Sequence, residues 1–132
     1  MWWMWVWLGC STPETGVPQA TATAPTALST FKNASVEELQ SALQQGAKLI
    51  DVRTPEEFAG GHVPGADLVP LDTLDPMSPV LQKYSREEPL YVICAAGGRS
   101  KEASQQLAAA GFQVVNVQGG TNAWKGRGYP LE

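Results

Sequence analysis

Leu90-Tyr-Val-Ile-Cys-Ala-Ala-Gly-Gly-Arg-Ser100 is the stretch whose reading decides the fold. An apolar, β-branched run ends on Cys94, a loop of small residues follows, and a helical pattern begins at Ser100. This order places a thiol at the carboxyl end of a buried strand and at the start of a helix. Loop N–H groups and the helix dipole both favour negative charge at such a point. A thiol held there is expected to ionise readily and to act as a nucleophile. A merely structural buried cysteine would not need two glycines and an arginine within five residues of it. Nucleophilic work also requires that solvent reach the sulfur, so an accessible Cys94 is expected, and a sulfur walled off from solvent counts against the nucleophile.

Outward from this stretch, apolar runs alternate with helix signals. Upstream, Ser35-Val-Glu-Glu38 reads as a capping box, with Val36, Leu39 and Leu43 on one helical face and Gly46 as the stop. Lys48 to Val52 is a short strand. Thr54-Pro-Glu-Glu57 is a second capping box, with Pro55 at the first helical position and Gly60-Gly61 ending the helix. Asp67 to Val69 reads as another short strand, and Ser78-Pro79 opens a helix to about Tyr84. Downstream, a helix from Ser100 to Ala110, which Ser100 caps, stops at Gly111. Phe112 to Val117 is a final strand, and Gly119-Gly120 leads into a short helix around Trp124. Strands alternating with helices at these spacings predict an α/β fold: a small, mainly parallel sheet of about five strands with helices on both faces. In such sheets sites form at the carboxyl ends of the strands, where Cys94 stands.

Composition narrows the function. The chain has 132 residues and a formal net charge of −4 with no basic run, which argues against a nucleic-acid partner. One histidine (His62) and two cysteines (Cys10 and Cys94) do not assemble a zinc-type ligand set, so no metal is expected, and no cofactor is implied. A Cys10–Cys94 disulfide would tie an N-terminal tail to the candidate site, so no disulfide framework is expected either.

The amino end has a different texture. Residues 1–10 form a tryptophan-rich apolar segment, too short to span a bilayer, which takes about 20 apolar residues. Trp7-Leu-Gly-Cys10 resembles a bacterial lipobox, with Trp7 where leucine is usual. That resemblance implies a lipidated Cys10 and a bacterial periplasmic or cell-envelope location; without a signal there, the chain would be cytoplasmic. Residues 11–30 are Thr/Ala/Pro-rich with one charge and read as a disordered linker. The folded domain is expected over residues 31–132.

Several short motifs in fixed order point further. Asp51-Val-Arg53, Pro55-Glu-Glu-Phe58, Gly61-His-Val-Pro-Gly-Ala66, the Cys94–Arg99 loop with Ser100, Gly111-Phe112, Gly119-Gly120, Ala123-Trp124 and Gly128-Tyr-Pro130 together resemble the rhodanese (sulfurtransferase) homology domain, in its single-domain form. The resemblance spans roughly Phe31 to Leu131 and implies that Cys94 carries a persulfide. The implied reaction moves a sulfane sulfur from thiosulfate or a polysulfide to cyanide or a thiol in two steps. Ala95, Ala96, Gly97 and Gly98 then supply backbone N–H groups without side-chain bulk over the persulfide anion, and with Arg99 and Ser100 they make up the implied substrate- and persulfide-binding loop. Arg99 has two expected roles: binding the donor's oxyanion or the sulfur, and pairing with a carboxylate such as Glu57 to brace the loop. Asp51, Arg53, Glu56 and Glu57 resemble the family's structural charge cluster. His62 reads as a turn residue with satisfied nitrogens, since a thiolate at a helix start needs no base. Phe58, Phe112, Trp124 and Tyr129 read as packing. With Arg99 as the loop's single charge, weak use of dianionic thiosulfate is expected, and a less charged or more reduced donor is favoured. The implied partners are small sulfur-containing anions and thiols.

Two other functions fit parts of the pattern. Phosphatases and arsenate reductases of this fold place five residues between their cysteine and arginine. Here four intervene, giving a pocket better sized for sulfur than for phosphate, and no resolving cysteine lies nearby. A sulfur carrier or partner-binding module without significant turnover is the other alternative.

Overall fold

The computed structural model describes residues 31–132, so the lipobox-like segment, Cys10 and the proposed linker lie outside the described residues. In chain order the elements are β1 (Lys32–Ala34), α1 (Val36–Gln44), β2 (Lys48–Asp51), α2 (Pro55–Ala59), β3 (Asp67–Leu68), a single 3-10 turn (Leu71–Thr73), α3 (Pro79–Gln82), β4 (Pro89–Ile93), α4 (Gly98–Ala109), β5 (Gln113–Val117) and α5 (Gly120–Gly126). Both capping boxes form. Ser35 Oγ accepts from Glu38 N while Glu38 accepts from Ser35 N, both at 3.1 Å. Thr54 and Glu57 repeat the exchange at 3.2 Å each way. Each box satisfies amides that a helix start otherwise leaves unpaired.

The five strands make one sheet in the order β1-β5-β4-β2-β3, and every neighbouring pair is parallel. The period of two along each strand sends alternate side chains to opposite faces. Ile50, Leu90, Val92 and Val114 meet Ala103 and Leu107 of α4 and Leu81 of α3 on one face. Leu49, Ile93 and Val117 meet Val36 and Leu39 of α1 and Trp124 of α5 on the other. Both faces are therefore covered, as a parallel sheet requires. Full burial of each such aliphatic side chain stabilises the fold by roughly 1.5–3 kcal/mol.

Three features differ from the sequence reading. β1 was not legible: it is three residues long, Lys-Asn-Ala, and only its pairing with Val115, Asn116 and Val117 of β5 makes it a strand. α3 stops at Gln82 rather than near Tyr84, though Tyr84 is buried in the same core. α4 begins at Gly98, so Ser100 lies inside the first turn and does not cap it. The reason is Gly97, whose φ of 111° turns the chain into the helix two residues early.

Candidate active site

β4 ends at Ile93, and Cys94 follows at the carboxyl edge of the sheet. The next residues curl back so that Gly97 N lies 3.0 Å from Cys94 Sγ. The helix cap, Gly97, offers no side chain to the free amides of α4. The cysteine sulfur takes that place. It is the oxygen-free counterpart of an N-cap acceptor, and it sits where the helix start favours an anion.

Five influences act on the thiol. Burial pushes its pKa up and is the largest of them. Against it stand the Ser100 hydroxyl and the backbone N–H groups of Ser100, Gly97 and Ala96, and together they leave the thiol below its ordinary value. Ser100 Oγ is 3.5 Å from Sγ and 3.1 Å from Gly97 O. The Ser100 hydroxyl, rather than capping α4, is thus a neighbour of the sulfur.

The expectation of a solvent-reachable sulfur is not met: Cys94 is 1 % exposed. The loop that donates its N–H groups also folds over the sulfur. Ala96 and Gly98 in that loop are exposed, while Ala95 and Gly97 are half-buried. The same tight wrapping that favours the anion therefore closes the resting thiol to solvent.

A second glycine motif holds the loop from below. Thr121 N donates to Cys94 O at 2.8 Å and Asn122 N to Ala95 O at 3.0 Å. This brings Gly120, with φ of 58°, so close that a Cβ there would stand 2.2 Å from Cys94 O and 2.5 Å from Ala95 O. The first amides of α5 thus anchor the cysteine backbone. Neither this anchor nor Asn116, whose Oδ1 lies 2.5 Å from Ser100 Oγ, was found from sequence. The Gly119-Gly120 pair was the available signal for the anchor; Asn116 carried none.

Of the two roles expected for Arg99, the resting structure displays the bracing one. Nη1 lies 2.7 Å from Glu57 Oε2 and Nη2 2.9 Å from Glu57 Oε1, a two-point pair joining the loop to α2. Hydrogen bonding from Arg99 is the main reason the Glu57 carboxyl falls from 4.5 to about 2, with Thr54 adding to it and burial opposing. Asp51 and Arg53 form a separate buried pair. Arg53 Nη2 and Nε reach Asp51 at 2.8–3.0 Å, and Nη2 also donates to Gly61 O at 2.8 Å. This pair ties the end of β2 to the turn after α2. Glu56 is exposed on α2, with no hydrogen bond from its side chain among the described residues.

His62 stacks on Phe58 at 3.7 Å between ring centroids, with Nδ1 3.0 Å from Phe58 O and Nε2 3.7 Å from Glu132 Oε1. Among the described residues, no hydrogen bond joins it to Cys94, Ser100 or Arg99. Trp124 Nε1 donates to Pro130 O at 2.6 Å, and its ring meets Tyr129 edge-on at 4.8 Å. That contact explains Gly128-Tyr-Pro130 as a packing motif.

Comparison with known proteins agrees with this geometry. The family model described as Rhodanese-like domain matches residues 35–127. Thiosulfate sulfurtransferase GlpE of Pseudomonas syringae pv. syringae is 36% identical over 103 residues, covering 77% of this chain and 93% of that protein. Among solved structures, a rhodanese-like domain protein from Staphylococcus aureus is 36% identical with a TM-score of 0.63, over 71% of this chain and 91% of that one. A rhodanese-related protein from Thermoplasma volcanium is 26% identical with a TM-score of 0.67, over 77% of this chain and 98% of that one. A cysteine cradled by loop amides at the carboxyl edge of a five-stranded parallel sheet stands in a chain that belongs to the rhodanese-like domain family.

Proposed function

We propose that the protein is a sulfurtransferase that works through a persulfide on Cys94. The observation that carries this reading is the 3.0 Å approach of Gly97 N to Cys94 Sγ, within a loop that has no bulky side chain before Arg99. In the first step the Cys94 thiolate attacks the sulfane sulfur of the donor. A new S–S bond forms to Cys94, the donor's own S–S bond breaks, and its electron pair leaves with sulfite or a shortened polysulfide. In the second step an acceptor, cyanide or a thiolate, attacks the outer sulfur. The persulfide bond breaks, thiocyanate or a new persulfide departs, and the Cys94 thiolate is restored. Loop amides aimed at the sulfur stabilise the anion before and after each transfer without having to reorganise.

Two features refine the reading. Arg99 is neutralised by Glu57, so the loop offers a dianion little net charge. This supports a donor less charged than thiosulfate, such as hydropolysulfide. The covered sulfur requires the loop to part before a donor enters. That same cover favours a second reading, a sulfur carrier that loads Cys94 but turns over poorly.

Thiocyanate production from cyanide tests both. With hydropolysulfide as donor, sustained multiple turnovers above the uncatalysed reaction of cyanide with the donor, lost in Cys94→Ser, support the enzyme. One equivalent per chain released by cyanide after excess donor is removed, with no turnover above the uncatalysed rate, supports the carrier. Absence of both the turnover and the equivalent overturns both readings.

A further inference from the structure

The contacts of Cys94 do not end at Ser100. Ser100 Oγ lies 2.5 Å from Asn116 Oδ1, and Asn116 Nδ2 lies 3.1 Å from Asn33 Oδ1. Asn33 and Asn116 are register partners across β1 and β5. Ser100 and Asn116 are buried, while Asn33 is exposed. Side chains from the cysteine loop, α4, β5 and β1 therefore form one row from the sulfur to the surface. Its outer end opens on a cavity of about 330 Å³ lined by Asn33, Asn116, Lys101, Ala96 and Gly97.

The row has a direction. Ser100 has one hydroxyl hydrogen and three acceptors within reach: Gly97 O at 3.1 Å, Asn116 Oδ1 at 2.5 Å and Cys94 Sγ at 3.5 Å. Two oxygens at the Asn116 distance repel unless a hydrogen lies between them. With Oδ1 facing inward, the hydrogen therefore belongs to Asn116, and the Ser100 oxygen is left to accept from the Cys94 S–H. That arrangement suits a thiol. A thiolate or persulfide anion has no hydrogen to give and needs Ser100 as a donor. A half-turn of the Asn116 amide allows this, with the contact to Ser100 Oγ lengthening by a few tenths of an ångström to an ordinary N–H···O distance. Nδ2 then donates to Ser100 Oγ, Oδ1 faces outward, and the exposed Asn33 amide turns in step to donate to it.

We propose that Asn116, backed by Asn33, is a positioning residue for the sulfur chemistry: the direction of its amide sets whether the Ser100 hydroxyl donates to the sulfur anion or turns away. The proposal rests on Cys94 as nucleophile and adds how its anion is accommodated at the side that the loop amides do not reach. The charged groups on the elements around the sulfur are Arg99 and Lys101 on α4, Glu57 on α2, and the Asp51–Arg53 pair at the end of β2. Among the described residues none of them hydrogen-bonds to Ser100, Asn116 or Asn33.

Replacing the exposed end of the row tests this with little risk to folding. A carboxylate in Asn33→Asp only accepts, so it holds Nδ2 of Asn116 outward and Oδ1 toward Ser100, locking the hydroxyl hydrogen away from the sulfur. Asn33→Ala leaves Asn116 free to turn. The readout is the pH dependence of iodoacetamide alkylation in the full chain at high salt, followed on the Cys94 peptide by mass spectrometry. The midpoint of Asn33→Asp is expected about half a unit or more above that of Asn33→Ala. In a Ser100→Ala background the two are expected to coincide, because the coupling hydroxyl is gone. Equal midpoints with Ser100 present, or a difference that survives Ser100→Ala, would overturn the proposal. A wild-type midpoint like that of an ordinary thiol would overturn Cys94 as nucleophile and the row's role with it. A depressed wild-type midpoint with no effect of Asn33→Asp would overturn the row alone.

Discussion

Arg99 and Glu57 meet through two parallel hydrogen bonds, 2.7 and 2.9 Å long, so the cation of the cysteine loop is held by α2 rather than presented to solvent. Both side chains remain more than a third exposed. Their pairing therefore stabilises the fold weakly, within about 1 kcal/mol, and its main consequence is for the charge that a donor meets.

Glu57→Gln removes the neutralising carboxylate and leaves Arg99 its full charge. The KM for thiosulfate is expected to fall severalfold, with a smaller change for singly charged hydropolysulfide. Steady-state kinetics with the two donors checks this. A thiosulfate KM that stays the same or rises would show that Arg99 acts only as a brace.

The same pair sets a pH window. Glu57 titrates at about 2 in the folded protein against 4.5 for an unperturbed carboxyl. A carboxyl depressed on folding contributes its stability above the unfolded value and loses it as pH falls toward the folded one. The stability difference between wild type and Glu57→Gln is therefore expected to be constant above about pH 5 and to shrink between pH 4.5 and 2. Denaturant midpoints across this range, at fixed salt, provide the measurement.

Gly120→Ala places a methyl 2.2 Å from Cys94 O at a φ of 58°. Both the clash and the backbone strain act on the anchor of the cysteine loop. A loss of about 1–3 kcal/mol is expected. The Cys94 alkylation midpoint is expected to move toward that of an ordinary thiol, since the amides no longer converge on the sulfur. Gly126→Ala, in α5 where a Cβ meets nothing within 4 Å, is the control: it should cost no stability and leave the alkylation midpoint in place.

Asp51→Ala strands the Arg53 guanidinium, which is only 6 % exposed. Removing one member of a buried pair costs about 3–5 kcal/mol, because the remaining charge is left without its partner. Chemical denaturation is expected to show a loss of this size. Asp51→Asn, which keeps an acceptor oxygen, should lose less.

What could be read from the sequence follows from the range of the interactions involved. β2, β4 and β5 carry dense apolar runs, and the two capping boxes are local exchanges three residues apart, so all five were legible. The placement of Cys94 at a strand end beside a helix start followed from the same local pattern. β1 was missed because Lys32-Asn-Ala34 becomes a strand only through β5, some eighty residues away. The capping role expected of Ser100 is not seen because Gly97 adopts a positive φ and starts α4 early, a backbone choice that residue types alone do not reveal. The cover over Cys94 and the row through Asn116 depend on how the loop, α4, β5 and β1 pack together. No local pattern encodes either.

The most direct test of the central claim is the intact mass of the protein after incubation with hydropolysulfide and, separately, with thiosulfate. In a Cys10→Ser background the protein is expected to gain one sulfur atom with at least one donor and to lose it on addition of cyanide, while the further Cys94→Ser variant gains none. A Cys10→Ser protein that stays unmodified with both donors, or a further Cys94→Ser variant that takes up the same sulfur, would contradict the account.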